Sequence, residues 1–93
     1  NIILKGTLIN FGTLIGNFNC IDQNCSIGHE SVIGNYCNLD ESVSFGGYSF
    51  LEDEGKIGKE VVIGQGVRIG RDSEIFPKVQ ILEDVLPESR IKK

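Results

Sequence analysis

An isoleucine, leucine or phenylalanine stands on every sixth residue of this chain: Ile3, Ile9, Ile15, Ile21, Ile27, Ile33, Leu39, Phe45, Leu51, Ile57, Ile63, Ile69, Ile75 and Ile81. A period of six fits neither the 3.6-residue turn of an α-helix nor the alternation of an ordinary strand. It fits a chain that turns a corner every six residues and stacks on itself as a coil. The place after each apolar residue is mostly Gly, Asp, Asn or Glu, as in Gly28, Gly34, Asp40 and Gly46. Such residues tolerate the tight or left-handed backbone of a corner, so the corners are expected there. Four residues after each apolar residue comes a second, smaller inward position, held for example by Thr7, Cys25, Ser31, Cys37, Val43 and Val61. Three such sides close one turn, so residues 18 apart become vertical neighbours. The pattern predicts an all-β column of between four and five coils over residues 1–86. Pro87 is expected to end it, leaving 87–93 as a C-terminal tail.

Composition narrows the function. The 93 residues suit one domain, and the net charge of −4 argues against a general nucleic-acid surface or an anionic-membrane surface. No apolar run approaches membrane-spanning length. The three cysteines, Cys20, Cys25 and Cys37, are odd in number and lack a CxxC spacing. They read as packing residues in a reduced, cytoplasmic setting rather than as a disulfide framework or zinc site, and no metal is expected. The chain begins with Asn and contains no methionine, which reads as a piece of something longer.

His29 is the only histidine, at the third place of the hexad Ile27-Gly28-His29-Glu30-Ser31-Val32. A neutral imidazole is the usual side chain for taking a proton from an amine or hydroxyl nucleophile, although an isolated surface histidine fits the composition as well. Counting by 18 places Phe11 below it, Gly47 directly above it and Gln65 above that. A glycine over the histidine leaves room for a substrate and presents a backbone N–H able to hold a developing oxyanion. Glu30 is the first candidate to orient the imidazole. By the same count Phe18 and Tyr36 form a stacked aromatic pair, read as packing between subunits.

The repeat resembles the left-handed parallel β-helix of the hexapeptide-repeat acyltransferases over nearly the whole chain. The stretch from Ile27 to Tyr36 is similar to the sialic-acid O-acetyltransferases and bacterial amino-sugar N-acetyltransferases of the NeuD/PglD type. That resemblance implies acetyl-CoA as co-substrate, a bacterial sugar or sugar nucleotide as acceptor, and His29 as general base with Glu30 beside it. It also implies that Gly46 and Gly47 contact the acetyl carbonyl, that Gln65 lies along the cofactor, and that a homotrimer shares its grooves. The sequence departs from this type at Asn38, where a second histidine is common, and in the acidic hexad from Leu51 to Lys56. The family's Gly-x-Pro-Ala ending is also missing, with Asp84-Val85-Leu86-Pro87 in its place. The alternative is a non-catalytic β-helical assembly or regulatory domain, such as the tail of a sugar-nucleotide pyrophosphorylase. His29 with Gly47 on its stack separates the two, because a purely structural coil needs neither.

Overall fold

The computed structural model describes all 93 residues and contains only two-residue strands and turns. The first five strands are Ile2–Ile3 (β1), Leu8–Ile9 (β2), Leu14–Ile15 (β3), Cys20–Ile21 (β4) and Ser26–Ile27 (β5). Next come Val32–Ile33 (β6), Asn38–Leu39 (β7), Ser44–Phe45 (β8), Phe50–Leu51 (β9) and Lys56–Ile57 (β10). The last are Val62–Ile63 (β11), Arg68–Ile69 (β12), Glu74–Ile75 (β13), Gln80–Ile81 (β14) and Arg90–Ile91 (β15).

Each strand ends on an apolar residue, and each pairs in parallel with the third strand along the chain, except that β13 pairs with β15 in the last turn. The three sheets run β1-β4-β7-β10-β13-β15, β2-β5-β8-β11-β14 and β3-β6-β9-β12. Partners such as Ile3 and Ile21, Ile27 and Phe45, and Ile33 and Leu51 differ by 18, as expected of a three-sided column. The fold is a left-handed parallel β-helix of about five turns. The inward apolar residues from Ile21 to Ile81 are buried and stack into one core with Cys25, Cys37, Val43, Val61, Val67 and Val79. The cysteines therefore occupy the small inward position. Cys25 Sγ donates to the Asp40 carbonyl at 3.1 Å and Cys37 Sγ to that of Glu52 at 3.2 Å. Burial pushes both thiols up from their ordinary pKa, while weaker hydrogen bonds from the Val43 and Gly55 amides pull the other way.

Corner chemistry differs from the sequence expectation. The left-handed residue lies three places after the apolar one, at Phe18, Asn24, Glu30, Tyr36, Ser42, Tyr48 and their equivalents, with φ between 55 and 64°. Only Gly6, Gly12 and Gly66 are glycines there. No left-handed φ occurs at the glycines directly after the apolar residue. All of them but Gly64 are required by close approach: a Cβ on Gly46 would stand 2.6 Å from Gln65 N, and one on Gly58 2.6 Å from Pro77 N. From Asn24 onward each left-handed residue is tied to the coil beneath, as when the Tyr48 N–H donates to the His29 carbonyl at 3.0 Å. That bond offsets the roughly 1 kcal/mol or more that a side chain pays in this conformation.

The residue just before the left-handed one contributes no N–H to the backbone ladder. His29, Gly47 and Gln65 stand at this place, and so do both prolines, Pro77 and Pro87. A proline costs nothing where no donor is used, so Pro87 does not end the coil. Val85 bridges to Ile69, and Ile91 pairs with Ile75 in β13. The boundary expected at residue 86 thus falls inside the last turn, and 87–93 is not a free tail. Those two pairings are 16 apart rather than 18, because three residues instead of five separate Ile81 from Val85.

Candidate active site

The corner between the β2-β5-β8-β11-β14 sheet and the β3-β6-β9-β12 sheet carries Phe11, His29, Gly47 and Gln65 in ascending order. The structure brings together what counting by 18 placed together. The Phe11 ring lies parallel beneath the imidazole, with centroids 5.8 Å apart and planes 12° apart. Above it, a Cβ added to Gly47 would sit 3.0 Å from His29 Nε2 and 3.2 Å from Cε1. The imidazole edge therefore faces a bare α-carbon. Any other residue at position 47 would press on it.

Gly47 and Gly46 have different roles. The Gly46 N–H donates to the Ile63 carbonyl at 2.8 Å, and the Gly46 carbonyl accepts the Ser31 and Ser49 hydroxyls at 3.1 and 2.7 Å. Its polar groups are consumed by the scaffold. The Gly47 N–H donates to no acceptor in the chain. On the neighbouring corner two N–H groups at this place are capped by the residue 18 above: the Asn17 N–H donates to Asn35 Oδ1 at 2.7 Å, and the Asn35 N–H to Asp53 Oδ1 at 2.8 Å. Over Gly47 stands Gln65, which is exposed and gives no such cap. This leaves the site an uncommitted donor beside the histidine.

Glu30 is exposed and adjacent, but its Oε1 is 3.9 Å from His29 Nδ1. That distance lies outside hydrogen-bond range. Its Cγ folds down over Gly12, where an added Cβ would approach to 2.7 Å. His29 Nδ1 is itself shielded from solvent and has no hydrogen-bond partner, although the side chain as a whole is 44% exposed.

Sequence counting missed Tyr48. Its ring meets the imidazole edge-on, with centroids 5.1 Å apart and planes at 82°. The signal was an offset of 19 rather than 18. The left-handed residue of one coil is bonded to the histidine carbonyl of the coil below and leans back over it. On the next corner, Phe18 and Tyr36 stack as expected, 5.1 Å apart, and both are exposed.

No side chains of His, Cys, Asp or Glu cluster in threes to hold a metal ion. No helix of the chain is long and apolar enough to cross a membrane. Neither cavity touches His29. One, of about 160 Å³, lies on the outer face of the sheet containing β7, β10 and β13. The other, of about 360 Å³, lies at the end of the column around Ile81, Leu82 and Val85.

Serine acetyltransferase isoform 3 from Entamoeba histolytica, solved with cysteine, superposes with a TM-score of 0.79 over 89% of this chain at 23% identity. The likeness establishes the β-helical fold. Perosamine N-acetyltransferase from Caulobacter crescentus, solved as its H141N variant with CoA and GDP-perosamine, aligns over 96% of the chain at 17% identity with a TM-score of only 0.39. The chain spans 34% of the first protein's length and 51% of the second's. No protein-family model matches the sequence, and no curated protein matches it.

Proposed function

We propose that this chain is the catalytic β-helix of an acetyltransferase that moves the acetyl group of acetyl-CoA to a hydroxyl or amino group of a bacterial sugar or sugar nucleotide. The observation that carries the reading is His29 Nε2 facing the bare α-carbon of Gly47, whose N–H is uncommitted. The fold shared with serine acetyltransferase and the resemblance of the stretch from Ile27 to Tyr36 to sugar acetyltransferases support it.

In this reading His29 Nε2 accepts the proton of the acceptor O–H or N–H as the acceptor attacks the thioester carbonyl. The Gly47 N–H donates to the carbonyl oxygen as it gains charge. On collapse the C–S bond breaks, the new ester or amide bond remains, and His29 returns its proton to the departing thiolate. The transfer is direct, so no serine or cysteine nucleophile is required. In this reading Gln65, exposed one coil above Gly47, contacts the co-substrate, whereas Gly46 serves by leaving room. Glu30 contributes a nearby negative charge rather than a hydrogen bond.

A single chain presents this site on an open corner with no cavity beside it. That observation favours the second reading, a non-catalytic assembly coil, unless a further subunit closes the groove. We infer a cytoplasmic homotrimer in which Phe18 and Tyr36 pack between subunits. The test is to incubate the protein with acetyl-CoA and a panel of amino-sugar nucleotides, following free thiol and the mass of the sugar. Acetylated sugar from a protein that sediments as a trimer supports the reading. A folded trimer that neither binds nor consumes acetyl-CoA assigns the coil to assembly.

A further inference from the structure

A histidine that works as a base presents one nitrogen to the substrate, while a hydrogen bond on the other sets its tautomer and orientation. His29 lacks that hold. Its Nδ1 is shielded and unpartnered, and the nearest carboxylate oxygen is 3.9 Å away. The ring is nevertheless enclosed on three sides. Phe11 lies flat beneath it, Tyr48 meets it edge-on, and Gly47 borders its Nε2 edge. Offset-parallel and edge-to-face contacts at these separations are the two favoured geometries of ring pairs.

Both aromatic residues are also fastened to the histidine corner by main chain. The Glu30 N–H donates to the Phe11 carbonyl, and the Tyr48 N–H to the His29 carbonyl, each at 3.0 Å. Tyr48 holds a left-handed φ of 59°. Neither ring belongs to the core: Phe11 is 76% exposed and Tyr48 53%. Two large aromatic groups left in solvent with the histidine between them have no evident role in folding. The Tyr48 hydroxyl makes no hydrogen bond within the chain, so its ring is the part that touches the imidazole.

We infer that Phe11 and Tyr48 are positioning residues that clamp the His29 imidazole, so that ring packing fixes the base where a hydrogen bond ordinarily would. The inference rests on the reading of His29 as the base.

The experiment uses the full chain labelled with ¹³C and ¹⁵N, as Phe11→Ala, Tyr48→Ala and Tyr48→Phe. The imidazole resonances of His29 are recorded without substrate, and kcat and KM for acetyl-CoA are measured separately. Both alanine variants are expected to keep the thermal midpoint, to show motionally averaged imidazole signals, and to lose between about 10- and 100-fold in kcat with KM within about twofold of the parent. Tyr48→Phe is expected to restore the parent's signals and kcat. Unchanged imidazole signals in the alanine variants would overturn the inference, and so would Tyr48→Phe failing as badly as Tyr48→Ala. If His29→Ala retains full turnover, the base assignment fails by itself. The imidazole spectra still report whether the clamp exists.

Discussion

His29 Nε2 lies 3.0 Å from the point at which a side chain would begin on Gly47. The two residues are 18 apart, one coil above the other. The left-handed backbone at Glu30 and Tyr48 turns both corners the same way, so an identical local conformation repeats and the vertical distance is one strand spacing. With an empty α-carbon above it, the imidazole can meet a substrate from that side.

Filling that space should remove turnover without unfolding the chain. Position 47 has no left-handed φ, and the atoms nearest an added Cβ are Nε2, Cε1 and the carbonyl oxygen of His29. Gly47→Ala should lower kcat moderately, and Gly47→Val by about 100-fold, with stability changed by less than about 1 kcal/mol. Steady-state kinetics alongside thermal denaturation checks this. Full turnover in the valine variant would show that the space above His29 is not used.

Gly28→Ala should behave in the opposite way. Its Cβ would fall 2.6 Å from the Gly46 carbonyl carbon and 2.8 Å from Gly47 Cα, all backbone that cannot step aside. A loss of about 1–3 kcal/mol is expected in denaturant unfolding, with activity falling because the His29 corner shifts. A variant as stable as the parent would contradict the close stacking of successive corners.

The last turn offers a check on the fold. Ile91 pairs with Ile75 and packs on the core, so Ile91→Ser should cost about 1 kcal/mol or more in unfolding measurements. A free tail after Pro87 would leave stability unchanged.

Much of this was legible in the sequence and some was not. Burial repeats every six residues because each side of the column needs one large inward side chain, so the series from Ile3 to Ile81 gives the sheets and their register directly. Counting by 18 then places Phe11, His29 and Gly47 correctly. Tyr48 escaped because its contact depends on a left-handed φ that tilts the residue 19 positions after His29 back over the imidazole, which a count of vertical neighbours does not contain. Gly28 and Gly46 were expected as left-handed corners, yet they are demanded by the backbone passing above them. Pro87 read as a terminator because nothing in its identity reveals that its place in the hexad uses no N–H. The distance from Glu30 to His29 depended on where the carboxylate folds, and it folds over Gly12.

Stability should weaken in alkali. Burial raises the Cys25 and Cys37 thiols in the folded protein above their ordinary value of 9.0. The unfolded chain therefore loses these protons first, and the folded state is penalised as pH rises beyond about 9. Their contribution is complete below that pH and disappears on rising through the folded values. Thermal midpoints between pH 7 and 10 should fall less steeply in a Cys25→Ala/Cys37→Ala variant than in the parent, whatever its starting midpoint. Parallel curves would contradict the assignment.

The most direct measurement is single-turnover acetyl transfer by the parent and by His29→Ala, at saturating acetyl-CoA and acceptor, with far-UV dichroism recorded on both. The account predicts superimposable spectra, acetyl-CoA binding retained, and a transfer rate at least about 100-fold lower in the variant. Equal rates from two equally folded proteins would contradict it.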